Sequence, residues 1–196
     1  MKNSGEYSKS MESITLENKS VESDLCQIIS IDGTCDKDKI ADLSTEQIVG
    51  MYRLLNLTRI WNDKGKSLQR QGRLSTLPSL KGQEAAGVGI AYAMHENDWL
   101  SPAFREAGAL FHLGVSPVDQ FLFWGGDERG ARIAENHKLT NISIIVGGHL
   151  PHAVGIAYAA KYKKENSAVI CVLGDGATSE GDFHESLNFA SVLQVP

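Results

Sequence analysis

The residues best suited to chemistry cluster late in the chain, at Gly174-Asp175-Gly176-Ala177, directly after the apolar run Ala168-Val169-Ile170-Cys171-Val172-Leu173. A second glycine pair, Gly147-Gly148, follows Asn141-Ile142-Ser143-Ile144-Ile145-Val146, a segment rich in β-branched residues. Ligands of open α/β sheets bind beyond the carboxyl ends of strands. Glycines there let a phosphate approach the backbone, and a following helix offers unpaired amides. An aspartate between such glycines would repel a bare anion. The conflict disappears if Asp175 holds a divalent cation that bridges a diphosphate, so the residue types favour metal plus diphosphate over phosphate alone. Three residues taken alone read equally as a tight turn whose aspartate caps the next helix.

Elements must hold these groups in place. Ser44-Thr45-Glu46-Gln47 has the capping-box pattern, and apolar positions then recur at helical spacing through Ile48, Met51, Tyr52, Leu55 and Trp61. This helix is expected to reach about Lys64, where Asp63-Lys64-Gly65 offers a stop, with a possible continuation to Arg70. Gly82 to His95 reads as a helix of small residues that permit close approach to a neighbour. Ser101-Pro102 and Ser116-Pro117 each place a cap before a proline, predicting two more helices, with Gly114 ending the first. Asn141–Val146 is predicted as a strand, Pro151 to Lys164 as a helix, and residues 168–173 as a strand buried on both faces. A last helix is expected from Phe183 to about Gln194. Strand, helix, strand, helix with short glycine turns means a parallel, doubly wound sheet.

Composition bounds the rest. The chain has 196 residues, 42% apolar and 22% charged, ordinary for a soluble globular protein, with a formal charge of −5. That balance, with no basic patch, disfavours nucleic acid and anionic membrane as partners. Residues 1–45 carry five Lys and nine Asp or Glu, a net −4 of that total. Within this polar extension, Cys26 to Ile31 followed by Asp32-Gly33 reads as a short strand and turn, and disorder is expected before it. Cys26, Cys35 and Cys171 fit neither a disulfide framework nor a zinc site, and Cys171 reads as a buried free thiol. The N-terminus resembles neither a secretory signal nor a transit peptide and no run reaches membrane-span length, so a cytoplasmic location is expected.

The longer segment Gly174-Asp175-Gly176-Ala177-Thr178-Ser179-Glu180-Gly181-Asp182-Phe183-His184-Glu185 resembles the first half of the thiamine-diphosphate motif. It is most similar to α subunits of the decarboxylating component of pyruvate and branched-chain 2-oxoacid dehydrogenase complexes. The likeness extends to residues 188–190, Gln69–Arg73, Gly82–Ala86, Phe104–Gly108, Trp124–Gly130 and Pro151–Gly155, in family order over roughly residues 25 to 196. It implies an α/β fold with an incomplete doubly wound parallel sheet of the thiamine-diphosphate type and a helical N-terminal extension. The corresponding domains are residues 1–43, a polar and partly disordered extension, and residues 44–196, a cofactor-binding domain truncated on its C-terminal side.

By the same resemblance Asp175 matches the magnesium ligand, and Gly174, Gly176 and Ala177 match the backbone beside the diphosphate. Arg105 matches an arginine that pairs with diphosphate oxygens. Phe104 stands where tyrosine is common, Ile144 and Val146 match positions lining the cofactor, and His149 stands where glutamine is common. For His149 and His152, structural hydrogen bonding is preferred over proton transfer. Arg70, Arg73, Arg129 and Arg132 read as solvated arginines, with substrate or partner binding as the alternative.

The implied function is oxidative decarboxylation of a 2-oxoacid, pyruvate foremost, with thiamine diphosphate and magnesium and acyl transfer to a lipoyl group on a separate acyltransferase. Branched-chain 2-oxoacid and acetoin dehydrogenase α subunits, or an inactive truncated remnant, are the alternatives. A β subunit completing an α2β2 assembly is implied as the partner and as the source of the glutamate that activates the cofactor. The remainder of the magnesium motif would fall after Pro196, so the sequence is expected to be a fragment.

Overall fold

The computed structural model describes residues 27–36, 38, 42–134 and 137–196. The expected disorder of the first residues and the state of Cys26 lie outside them. The chain divides into two units, Met1–Asp42 and Leu43–Pro196. In the first, Ile29 bridges Cys35 in antiparallel fashion, and the Asp32 carboxylate accepts both the amide (2.9 Å) and hydroxyl (2.7 Å) of Thr34. This is a small hairpin closed by an aspartate turn with Gly33 at φ +84°.

The second unit mixes helices with a small parallel sheet. Helix α1, Thr45–Arg70, opens with the expected capping box: Ser44 Oγ accepts the Gln47 amide (3.2 Å) while the Gln47 side chain accepts the Ser44 amide (2.8 Å). The helix does not stop at Gly65. A Cβ there would lie 2.2 Å from Leu77 Cδ2 and 3.0 Å from the Phe121 ring. Gly65 is therefore a close-packing position under the core, and the helix runs on to Arg70.

Helix α2 spans Glu84–Ala93 and β1 spans Trp99–Ser101. The helix predicted from Pro102 does not form. Ser101 is the last residue of β1, its carbonyl accepts the Val172 amide (3.0 Å), and its hydroxyl meets that of Thr140 (3.2 Å). With backbone and side chain committed to the sheet, Ser101 cannot cap. Helix α3 begins later, at Ala107–His112, and Gly114 at φ +94° follows its end as expected. Helix α4, Pro117–Trp124, is capped by Ser116 Oγ with Pro117 in the first turn. A 3₁₀ segment, Glu128–Ala134, follows.

Strand β1 is the centre of the sheet. It pairs in parallel with β2, Val169–Cys171, in register Trp99↔Val169, Leu100↔Ile170 and Ser101↔Cys171. On its other side Leu100 bridges Leu139, also in parallel. That second pairing explains why the predicted strand Asn141–Val146 is absent. Lys138 and Thr140 already hold the ladder bonds beside β1, and the chain leaves the sheet at Asn141. Ile144 and Ile145 are 58% and 75% exposed, so their β-branched character has no pleated surface to pack on. Strand β2 is shorter than predicted and half-buried, not buried on both faces. Helices α5, Leu150–Lys163, and α6, Gly181–Leu193, pack on each other, and a 3₁₀ turn, Asp175–Ser179, precedes α6.

The core gathers Trp61, Leu77, Leu80, Leu100, Leu110, Phe111, Trp124 and Leu139. Trp61 stacks on Phe121 at 4.8 Å, meets Phe111 edge-on at 5.8 Å, and donates Nε1–H to the Pro117 carbonyl (3.0 Å). One side chain thus ties α1 to α3 and α4. Arg59 of α1 pairs with Glu84 at the start of α2, and Glu84 also accepts the Gly82 amide (2.8 Å).

Candidate functional site

The loop between β1 and α3, the turn at residues 145–149 and the end of β2 converge on one cleft of about 580 Å³, within the range of small-ligand sites. Its walls include Phe104, Arg105, Val146, Gly174, Asp175, Gly176 and Ala177, seven of the eight residues expected to hold a cofactor. Ile144 is the exception and lines an adjoining groove with His152 and Ile156. The period of two assumed for a strand selects residues 144 and 146. In an irregular segment that alternation is lost, and Ile145 joins Val146 in the cleft.

Arg105 is held on two sides. Its Nε donates to the Ser79 carbonyl (3.0 Å), and its guanidinium lies 4.7 Å from the centroid of the Phe104 ring. The ring gives the guanidinium an apolar platform. Ser79 is itself anchored through Asn62 of α1, whose Oδ1 accepts the neighbouring Leu80 amide (3.1 Å). Among the described residues the Arg105 guanidinium feels the charge of the Glu106 carboxylate without forming an ion pair with it, and its terminal nitrogens make no hydrogen bond. By contrast Arg129 is engaged by Asp127, which this arginine holds at a pKa of about 2.

On the same cleft the Asp175 side chain is exposed, and its carbonyl accepts the Thr178 hydroxyl (2.7 Å). A Cβ on Gly174 or Gly176 would meet nothing within 4 Å, so both face open space. The Ala177 amide closes the turn onto the Gly174 carbonyl (3.0 Å), and Ala177 is buried beneath it. An exposed hard carboxylate and a guanidinium with unbonded terminal nitrogens on one cleft fit a magnesium–diphosphate group. No cluster of three or more His, Cys, Asp or Glu side chains occurs among the described residues, so Asp175 is the exposed carboxylate of this cleft wall that could contribute to a metal site.

His149 is 5% exposed at the start of α5, and its Nε2 lies 2.7 Å from the Val172 carbonyl. A carbonyl only accepts, so Nε2 carries the hydrogen, and Nδ1 is buried with no partner. This bond fastens the 145–149 turn to the end of β2, the structural role expected of it. His152 Nδ1 lies 3.1 Å from the Gly148 carbonyl and reinforces the same turn.

Sequence reading missed Gln83, Ala103, Glu106, Ile145, Val172 and Leu173 on the cleft wall. Glu106 adjoins Arg105 and was within reach; Gln83 arrives only through the packing of α2 on α3. Burial pushes the Glu106 carboxyl above the usual range, against hydrogen bonds from the Arg105, Glu106 and Ala103 amides. Cys171 is half-buried rather than buried, and burial likewise raises its thiol, with Ser101 opposing as a hydrogen-bond partner.

Residues 52–196 match the sequence model of a family described as dehydrogenase E1 component. The chain is 35% identical over 180 residues to the pyruvate dehydrogenase E1 component subunit alpha of Mycoplasma genitalium, covering 91% of this chain and 50% of that protein. It is 40% identical over 154 residues to the protein of that name from Acholeplasma laidlawii, covering 79% and 45%. Against the 3-methyl-2-oxobutanoate dehydrogenase subunit alpha of Mycobacterium tuberculosis it is 37% identical over 179 residues, covering 90% and 49%. The chain spans about half the length of these relatives.

Proposed function

The chain belongs to the dehydrogenase E1 component family, and from that premise we propose that it holds thiamine diphosphate and magnesium in the α subunit of a 2-oxoacid dehydrogenase. The observation that carries this reading is the meeting of Arg105, Val146 and Asp175, far apart in sequence, on one cleft. The substrate class is a 2-oxoacid, pyruvate first. Branched-chain 2-oxoacids are the second reading, motivated by the similar identity to the Mycobacterium protein.

Bound thiamine diphosphate supplies the electron sink for decarboxylation. Arg105 binds diphosphate oxygens with its two terminal nitrogens, and Asp175 contributes a carboxylate oxygen to magnesium. Gly174 and Gly176 allow the diphosphate to approach the backbone. Phe104, Ile145 and Val146 give the cleft apolar walls, and the His149 bond to Val172 keeps the 145–149 turn against β2. Fixing the anchor in this way orients the reactive end, where positioning lowers the barrier. The group that activates the cofactor belongs to a β subunit, with which the full-length chain forms α2β2, and the acyl group passes to the lipoyl arm of an acyltransferase.

The parallel strands with α5 between their flanking segments support extension to a doubly wound sheet of the thiamine-diphosphate type. Residues 44–196 then belong to the cofactor domain, following the polar extension 1–43. No helix of the described residues is long and apolar enough to cross a membrane.

The test is titration calorimetry of thiamine diphosphate into the full-length α chain assembled with its β subunit, with magnesium and with EDTA. Magnesium-dependent saturable binding is expected, with Arg105→Ala weakening it by about tenfold or more. Binding unaffected by EDTA and by both Arg105→Ala and Asp175→Ala would overturn the assignment.

A further inference from the structure

Glu106 stands at the N-cap of α3, where an acidic side chain ordinarily accepts an amide of the first helical turn. It makes no such bond. Its Oε2 instead turns back and accepts the Arg105 amide (3.0 Å), and the Ala103 and Glu106 amides also favour its charged form. The loop from β1 to α3 is thus folded around its own carboxylate. Burial opposes ionisation at this place, so the loop holds an acid where solvent alone would not favour it.

The consequence falls on the next residue. The Arg105 backbone is fixed by Glu106, its Nε by the Ser79 carbonyl and its guanidinium face by Phe104. The two terminal nitrogens are left for a ligand. A fork held at three points loses little freedom when it engages an anion, which raises affinity without adding a contact. The charged or titratable groups around Glu106 are Arg105 on its own loop and Cys171 on β2, with His149 and Asp175 across the cleft.

We propose that Glu106 is a positioning residue for diphosphate recognition: it accepts the Arg105 amide and so presets the arginine fork. This rests on the cofactor reading above. The feature used is the acceptor oxygen, so Glu106→Gln, which keeps a carbonyl oxygen at the same reach, should preserve the function, and Glu106→Ala should not.

The experiment measures the affinities of thiamine diphosphate with magnesium and of unphosphorylated thiamine, in the full-length α chain assembled with its β subunit, for wild type, Glu106→Ala and Glu106→Gln. Expected is a loss of about tenfold for thiamine diphosphate in Glu106→Ala, with thiamine changed by less than about twofold and Glu106→Gln within about threefold of wild type. A general packing defect would weaken both ligands alike and lower the melting temperature. Equal losses for both ligands, no loss in Glu106→Ala, or a Glu106→Gln that behaves like Glu106→Ala each overturns the proposal while leaving the cofactor reading intact. A wild-type protein that binds neither ligand overturns the cofactor reading and this assignment with it.

Discussion

Asn62 is a polar residue in the middle of α1 with 1% exposure, and it links the helix to the loop that holds Arg105. Its Oδ1 accepts the Leu80 amide at 3.1 Å, while the Ser79 hydroxyl lies at a weaker 3.4 Å. Replacing it with leucine keeps the number and branching of side-chain heavy atoms, so no cavity forms; the bulkier methyls add some packing strain, and the Nδ2 bond to Asp63 Oδ1 (3.1 Å) is lost together with the bond to Leu80. The Leu80 amide, on a residue only 2% exposed, is then a buried donor with no acceptor. Orphaning such a group costs about 1–3 kcal/mol. The added apolar burial returns up to about 1 kcal/mol, leaving a net loss of about 1–2 kcal/mol. For a domain of this size that is a drop of roughly 3–6 °C in melting temperature. Ser79→Ala, which removes the 3.4 Å contact with Asn62 and an exposed 3.4 Å bond from the Lys81 amide, should cost less than about 0.5 kcal/mol. Urea unfolding gives the free energies, and hydrogen exchange read at the Leu80 amide gives the local effect. If Asn62→Leu is as stable as wild type and Leu80 exchanges no faster, the bond is not what fastens this loop to α1.

Asp175→Asn should abolish measurable magnesium-dependent thiamine diphosphate binding while leaving the melting temperature within about 1 °C, since the side chain is exposed and unpaired; calorimetry with a parallel melt checks both halves. His149→Ala should destabilise by about 1–3 kcal/mol through the lost Val172 bond, and His149→Gln, whose amide nitrogen reaches the Nε2 place, should recover most of it in urea melts. Gly65→Ala should destabilise by about 1–3 kcal/mol despite alanine's better helix propensity, because its methyl meets Leu77 and Phe121; a stabilised variant would contradict the packing account. Arg59 holds Glu84 at a pKa of about 2, below its ordinary 4.5, so this carboxylate's contribution is complete above pH 4.5 and lost as pH falls toward 2. Melts between pH 2 and 6 should show a shallower acid limb in Glu84→Gln than in wild type.

Local chemistry written in neighbouring residues was legible without coordinates. The capping box at Ser44, the Ser116-Pro117 start of α4, Gly114 after α3 and the apolar run of β2 each depend on groups within a few positions of one another. Gly174-Asp175-Gly176 also announced a turn at a strand's end, because glycine freedom and an exposed carboxylate need no distant partner.

Whether a segment joins a sheet depends instead on which strand is free to receive it. Residues 138–140 take the place beside β1, and so Asn141–Val146 turns away and Ile145 enters the cleft wall. Ser101 looked like a cap until the ladder claimed it, and Gly65 looked like a stop until Leu77 and Phe121 filled the space above it. The sequence by itself determined the caps at Ser44 and Ser116 and the turns at Gly114 and Gly174–Gly176, because those properties reside in residue types and near neighbours. Only the tertiary structure decided that Asn62, Ser79, Phe104 and Glu106 hold Arg105 on the cleft that Asp175 also lines, because contacts between distant segments arise when the core closes and fixes their distances.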